Sequence, residues 1–454
     1  MADQLQTDND ARATPLKPFI GFGLGDYALN LFWQGVGFFL FFFETNVVGL
    51  SGTVVGTLFL IASIWDAVTD PIMGFIAERT RSRFGPYRPY LLFGCVPLAI
   101  MFALMFTPVR FPEEWMTIVY TLIVLLLFRT TYTIVSIPYS TLGARITQNF
   151  DGRTRLAGIR MYFGFLGGVS ISFIAKHLQT EHPDAVAFSH MGIAAGVLAV
   201  IVLVACFALT DTHEEPEPAD EEMPGLGESL SAMMRNRPFM LVIGGIMLVT
   251  VANSIVGQTM LYFFESTLGN RTAGNNAIII MGAAPLITIP LWALVALKIG
   301  KRFAWILGCL TGAAGLMMLY FDRSGSIMAA YGAVIVIVIG LSSFAVLFWS
   351  ALPDTIEYGQ YLTGIKIESF LIGMASSFQK VTIGLSAFVA GILLDMIGYQ
   401  AGADVASTTA DGIRNIFTLI PATALLGSAL VILFYPVTAQ SHAAIVAKLR
   451  EMKS

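Results

Sequence analysis

Twelve long apolar segments, each set off by short polar stretches, constrain this chain more than any other feature. They run at roughly 19–43, 52–76, 89–108, 115–140, 157–177, 188–210, 239–264, 274–297, 303–321, 326–350, 368–393 and 413–437. An α-helix needs ~20 apolar residues to cross a bilayer. In lipid, backbone N–H and C=O groups find no water, so only helices or closed barrels span. The ~10-residue alternating strands of a barrel are absent. The expected fold class is an all-α membrane protein of twelve transmembrane helices in two pseudo-symmetric six-helix bundles.

Composition agrees. Charged residues make up 12% and hydrophobic residues 56%, against roughly 25% charged in soluble domains. A mean hydropathy of +0.74 excludes a soluble enzyme, a disulfide scaffold or a disordered chain. A net charge of −4 gives no basic footprint for nucleic acid. Cys95, Cys206 and Cys309 lie in apolar runs and read as core. No phosphate loop or nucleophile–base set is present, so neither an enzyme nor a resident cofactor is expected. The polar first eighteen residues carry no cleavable signal peptide.

Twelve spans put both termini on one side of the membrane. Of 26 Lys and Arg residues, eighteen fall in the tails and loops on that side, five on the other, and three within spans. The positive-inside bias makes both termini cytoplasmic. The acidic, Pro-rich stretch 211–237 reads as a cytoplasmic linker. It divides the chain into a tail (1–18), a first bundle (19–210), a second bundle (238–437) and a closing tail (438–454). The halves echo each other: FFFET at Phe41–Thr45 recurs as YFFES at Tyr262–Ser266. Pro138 and Pro353 also recur, and Pro138 is expected to break its helix. Such repeats mark secondary transporters, whose site lies between the halves.

A charge at mid-bilayer is costly, at least about 2.5–3.5 kcal/mol on insertion scales. The sharpest group is in span two, where Asp66 and Asp70 share one helix face at i,i+4. Two neighbouring buried carboxylates do not both stay ionised without a cation. Na⁺, a proton, or a Lys or Arg would serve, and the Thr69 hydroxyl offers another oxygen. Lys380, in the middle of span eleven, reads as their counter-charge. In span four Arg129, Thr133, Ser136 and Ser140 form a polar stripe at i, i+4, i+7 and i+11. Arg160 enters span five from the cytoplasmic side and reads as facing substrate. Asp26 and Asn30 share a face of span one.

These residues resemble the glycoside–pentoside–hexuronide:cation symporters, the major-facilitator branch that includes the melibiose permease. The resemblance rests on Val47–Gly74 (with WDAVTDPIMG), RSRFGPYRPY at Arg81–Tyr90, TYTIVSIPYSTL at Thr131–Leu142, the segment Pro353–Ser369, and Lys380. It implies alternating access with cation-coupled sugar uptake. It implies a cation site of Asp66, Asp70, Thr69 (where the family has asparagine) and Thr133. It implies substrate contacts at Arg160 and Lys380. An ungapped count puts Asn30 at the family's span-one acid, Ser136 at its span-four acid and Ser140 at its sugar-stacking tryptophan. With Asp26 left out, Arg129, Arg160 and Lys380 then exceed Asp66 and Asp70 by one positive charge, which suits a hexuronide. The coupling ion, Na⁺ or H⁺, stays open. So do a lysolipid or other amphiphile as cargo, an uncoupled facilitator and a transporter-like sensor. The expected setting is a bacterial inner membrane, with the protein a monomer.

Overall fold

The computed structural model describes residues 16–146, 150–210, 225–365, 367–401 and 406–437, together with Ile445 and Lys448. Nearly all of the two expected tails, and residues 211–224 of the expected linker, lie outside the described residues.

The described residues are helical and include no strand. In chain order the spans are α1 (Leu16–Gly35, continued by π-helical segments Val36–Leu40 and Phe43–Val48), α2 (Gly52–Arg79), α3 (Arg88–Met105), α4 (Glu114–Ile146), α5 (Phe150–Glu181) and α6 (Asp184–Leu209). There follow α7 (Arg237–Tyr262, continued by the π segment Phe263–Thr267), α8 (Arg271–Ala283 and Pro285–Ile299), α9 (Lys301–Phe321), α10 (Ile327–Thr363), α11 (Glu368–Met396) and α12 (Ser407–Leu433). Ten of these are each long and apolar enough to cross a membrane, and α8, bent by 41°, makes eleven. The twelfth, α1, carries Asp26, Asn30 and Gln34 and is interrupted by its π segments.

The surface shows what solvent these helices are built for. On α6, Ile193, Val197 and Ile201 recur every four residues and are 53%, 57% and 62% exposed. A water-facing helix would put polar residues there, so this stripe is a face for acyl chains. The three cysteines are free and buried.

Three features depart from the segment boundaries. α4 continues through Pro138 and α10 through Pro353, so Pro138 does not break its helix. Neighbouring helices and hydroxyl side chains can satisfy the carbonyl that a proline frees. The internal repeat falls on the π segments of α1 and α7, where an extra residue is accommodated within a helical turn. From Leu226 the expected linker is itself a helix, Leu226–Arg235. Asn236 follows it, accepting from the Phe239 N–H at 3.2 Å and donating to the Thr355 carbonyl at 2.8 Å.

By compactness the chain forms two units, one of Met1–Val36 and Val68–Glu217, the other of Gly37–Ala67 and Pro218–Ser454. The end of span one and the start of span two thus belong with the C-terminal helices. In the first unit α1 lies against α5 and α6, and α3 against α4 and α6. In the second, α9 packs on α10 and α12, and α7 on α11 and α12. The α9–α10 contact is backbone to backbone: a Cβ added at Gly340 would lie 2.2 Å from the Gly312 nitrogen.

Candidate functional site

The spans of the first unit gather a set of polar side chains around α1. Asp26, 6% exposed, accepts from Arg160 Nε at 2.7 Å through Oδ1. Its other oxygen accepts from Asn30 Nδ2 at 3.0 Å. Asp26 and Asn30 are one turn apart on α1, and Arg160 comes from α5. Gly164, one turn after Arg160, makes the room: a Cβ there would lie 2.6 Å from Asp26 Oδ2. Beside this group Tyr139 is buried, stacks on Phe22 at 4.4 Å and donates to the Phe22 carbonyl at 2.6 Å. The Arg160 guanidinium lies 5.9 Å from the Tyr139 ring centre.

Further along α4, Arg129 is buried with its guanidinium 5.1 Å from the Trp33 ring centre. Trp33 in turn lies 5.5 Å from Tyr132, centre to centre. Such a cation–π contact contributes more where water is excluded. One turn on, the buried Thr133 hydroxyl donates to Asp70 Oδ1 at 2.8 Å. This bond ties span four to span two at the carboxylate pair. Asp66, buried, and Asp70, half-buried, share a face of the unbroken helix α2, with Thr69 beside them. Ser136 is half-buried and Ser140 exposed, so the α4 stripe runs from a buried to an open end. Lys380 is half-buried on α11. Among the described residues no three or more His, Cys, Asp or Glu cluster as a metal site. An alkali ion at a two-carboxylate site needs no such cluster.

Two expectations are corrected. The ungapped count gave the span-one acid position to Asn30, but the carboxylate that meets the span-five arginine is Asp26, and Asn30 supports it. The expected positive excess also goes, because Asp26 neutralises Arg160. Within the spans of the first unit, Asp26 and Asp70 balance Arg129 and Arg160. Asp66 and Lys380 lie on α2 and α11 of the second unit. Tyr132, Tyr139 and Gly164 were not singled out from sequence. Their apolar or small character looks like packing until their partners are known.

Comparisons with known proteins fit this arrangement. The family model described as MFS/sugar transport protein matches residues 21–439. The uncharacterized symporter YnaJ of Bacillus subtilis is 29% identical, covering 92% of this chain and 90% of that protein. The glucuronide carrier protein homolog of Escherichia coli is 27% identical over 96% of each. The isoprimeverose transporter of Lactiplantibacillus pentosus is 28% identical, covering 93% and 89%. Among solved structures, the inward open xylose transporter XylE from E. coli aligns with a TM-score of 0.65 at 14% identity, covering 96% of this chain and 99% of that one. A bacterial homolog of the lysosomal transporter Spinster aligns at 0.68 and 13%, covering 95% and 98%. At these identities the structures speak for the fold alone. With the family model spanning all but the chain's two ends, the chain belongs to the MFS/sugar transport protein family, and is a multi-pass membrane transporter of the major-facilitator fold rather than an enzyme.

Proposed function

We propose that the protein is a cation:sugar symporter working by alternating access, with Asp66, Asp70, Thr69 and Thr133 holding Na⁺ or H⁺. The single observation that carries this reading is the Thr133–Asp70 hydrogen bond. It brings a span-four hydroxyl onto Asp70, one of the two span-two carboxylates, which supports a hard-cation site of oxygen ligands. Asp26, Asn30, Arg129 and Arg160 would contact substrate, with Ser136 and Ser140 on the open part of α4. Lys380 would do so from α11. An aspartate held by a guanidinium offers acceptors and donors side by side, which suits sugar hydroxyls. The names of the relatives support a glycoside, pentoside or hexuronide as cargo. Coupling would be a linkage between binding free energies, cation and sugar each raising the other's affinity by the same factor.

The charge bias of the loops supports cytoplasmic termini in a bacterial inner membrane. In this reading the six-helix halves 19–210 and 238–437, joined by 211–237, rock about the site in a monomer.

The test is binding of a panel of glycosides and uronides to purified protein, with and without Na⁺, at two pH values. The reading expects Na⁺ or protons to raise affinity for one sugar class, and Asp66→Asn to abolish that gain. Sugar binding indifferent to both ions makes the protein a facilitator. No sugar binding under any condition removes carbohydrate as the cargo.

A further inference from the structure

The first turn of α2 is capped from two places. Ser51 Oγ, just before the helix, accepts from the Val54 N–H at 3.3 Å. The N–H groups of Gly52 and Thr53 donate instead to Asp395, at 2.9 Å to Oδ1 and 2.8 Å to Oδ2. A helix N-terminus leaves several donors unsatisfied, and its dipole favours a carboxylate there. The unusual feature is that this carboxylate comes from the last turn of α11, 343 residues away. Below the cap the two helices touch through small residues of the second unit. A Cβ at Gly391 would lie 2.0 Å from the Gly52 carbonyl oxygen, and one at Gly56 2.6 Å from that of Ala387. A Cβ at Gly384 would lie 2.4 Å from Ser63 Oγ.

We propose that Asp395 is a positioning residue for α2, the helix of Asp66 and Asp70. Its carboxylate fixes the start of α2 against α11 in this conformation, and leaves the Gly52 and Thr53 N–H groups when the seam opens. The inference rests on the alternating-access reading, which requires such an opening.

The test is the labelling rate of Ser63→Cys by a membrane-impermeant maleimide, added from the side opposite the termini. Ser63 is buried in the seam. The three native cysteines are also buried and report general loosening in the same sample. Asp395→Ala is expected to speed labelling at position 63 by about five- to tenfold, the size of one lost cap. The native cysteines should stay unlabelled. Asp395→Asn keeps the shape and one acceptor, and should fall between Ala and Asp. Equal rates for Ala and Asp overturn the proposal. So does Asn labelling as fast as Ala, or native cysteines labelling in parallel. The assay needs neither sugar nor coupling ion, so failure of the transport reading shows separately: labelling that follows the cap but ignores every sugar and cation leaves the cap standing and removes that reading.

Discussion

The Asp26–Arg160 pair can be tested by a double-mutant cycle of Asp26→Asn, Arg160→Gln and both together. The Nε–Oδ1 distance of 2.7 Å gives a gross attraction of about 6 kcal/mol at an effective dielectric of about 20. Most of that does not survive as net stability. The Arg160 side chain is 45% exposed and that of Asp26 only 9%, so water screens one partner and the other carries the desolvation. Hydrogen bonds to charged groups contribute roughly 1.5–3 kcal/mol net, and the exposed guanidinium points to the lower end, about 2 kcal/mol. Asp26→Asn keeps a carbonyl for Asn30 but takes the charge from under Arg160. Arg160→Gln leaves a buried carboxylate with Asn30 alone and is expected to be the more harmful single change. The double variant should be no worse than Arg160→Gln. The assay is the thermal midpoint of purified protein, followed by affinity for whichever sugar binds. Losses that add to within about 0.5 kcal/mol would mean independent sites, and would refute both the pairing and the charge balance built on it.

Other outcomes follow from single contacts. Thr133→Val keeps the shape but removes the donor to Asp70, and should weaken the cation dependence of sugar binding about tenfold. Thr133→Ser should restore it, as read by Na⁺ and pH titration. Gly340→Ala drives a Cβ onto the Gly312 backbone and should destabilise by about 1–3 kcal/mol, seen as a lower melting point. Gly312→Ala meets a Leu425 methyl instead and should be milder. Asn236→Ala loses a helix cap and a bond to the Thr355 carbonyl, and should lower the melting point by the equivalent of about 1–2 kcal/mol.

The helices were legible because hydropathy over ~20 residues is a strong and local signal. Faces were legible too, since Asp66 with Asp70, or Arg129 with Thr133, needs only the helical period. What periodicity does not report is which helix a face meets. Asp26 and Asn30 share a face, and choosing between them required Arg160, 134 residues away. Gly164 reads as a flexible position until the carboxylate beside it is seen. The π segments were present in the sequence as the FFFET and YFFES echo, but an echo does not announce an extra residue per turn. Asp395 looks like a solvated acid at the end of a span, because a cap on another helix leaves no trace in its own neighbourhood.

The charge balance also bears on what the transporter carries. With Asp26 on Arg160, the four spanning charges of the first unit cancel. The first unit then holds no excess positive charge to recruit a uronate. In the proposed reading the positive charge comes from the coupling cation, held at Asp66 and Asp70. A neutral glycoside would feel the cation only through the conformational linkage. A hexuronide would feel the linkage and the cation's field together. For a substrate carboxylate about 10 Å from the cation, that field contributes roughly 1.7 kcal/mol at an effective dielectric of about 20, or about fifteenfold in affinity. The measurement is the affinity ratio with and without saturating cation, for a uronide and for its neutral glycoside. The ratio should be larger for the uronide by about that factor, and Asp26→Asn should shrink the difference by freeing Arg160 to supply the field itself. A uronide that binds as tightly without cation as with it would show that a fixed positive charge already stands in the site, and would return Arg160 to the unpaired, substrate-facing role its sequence position suggested.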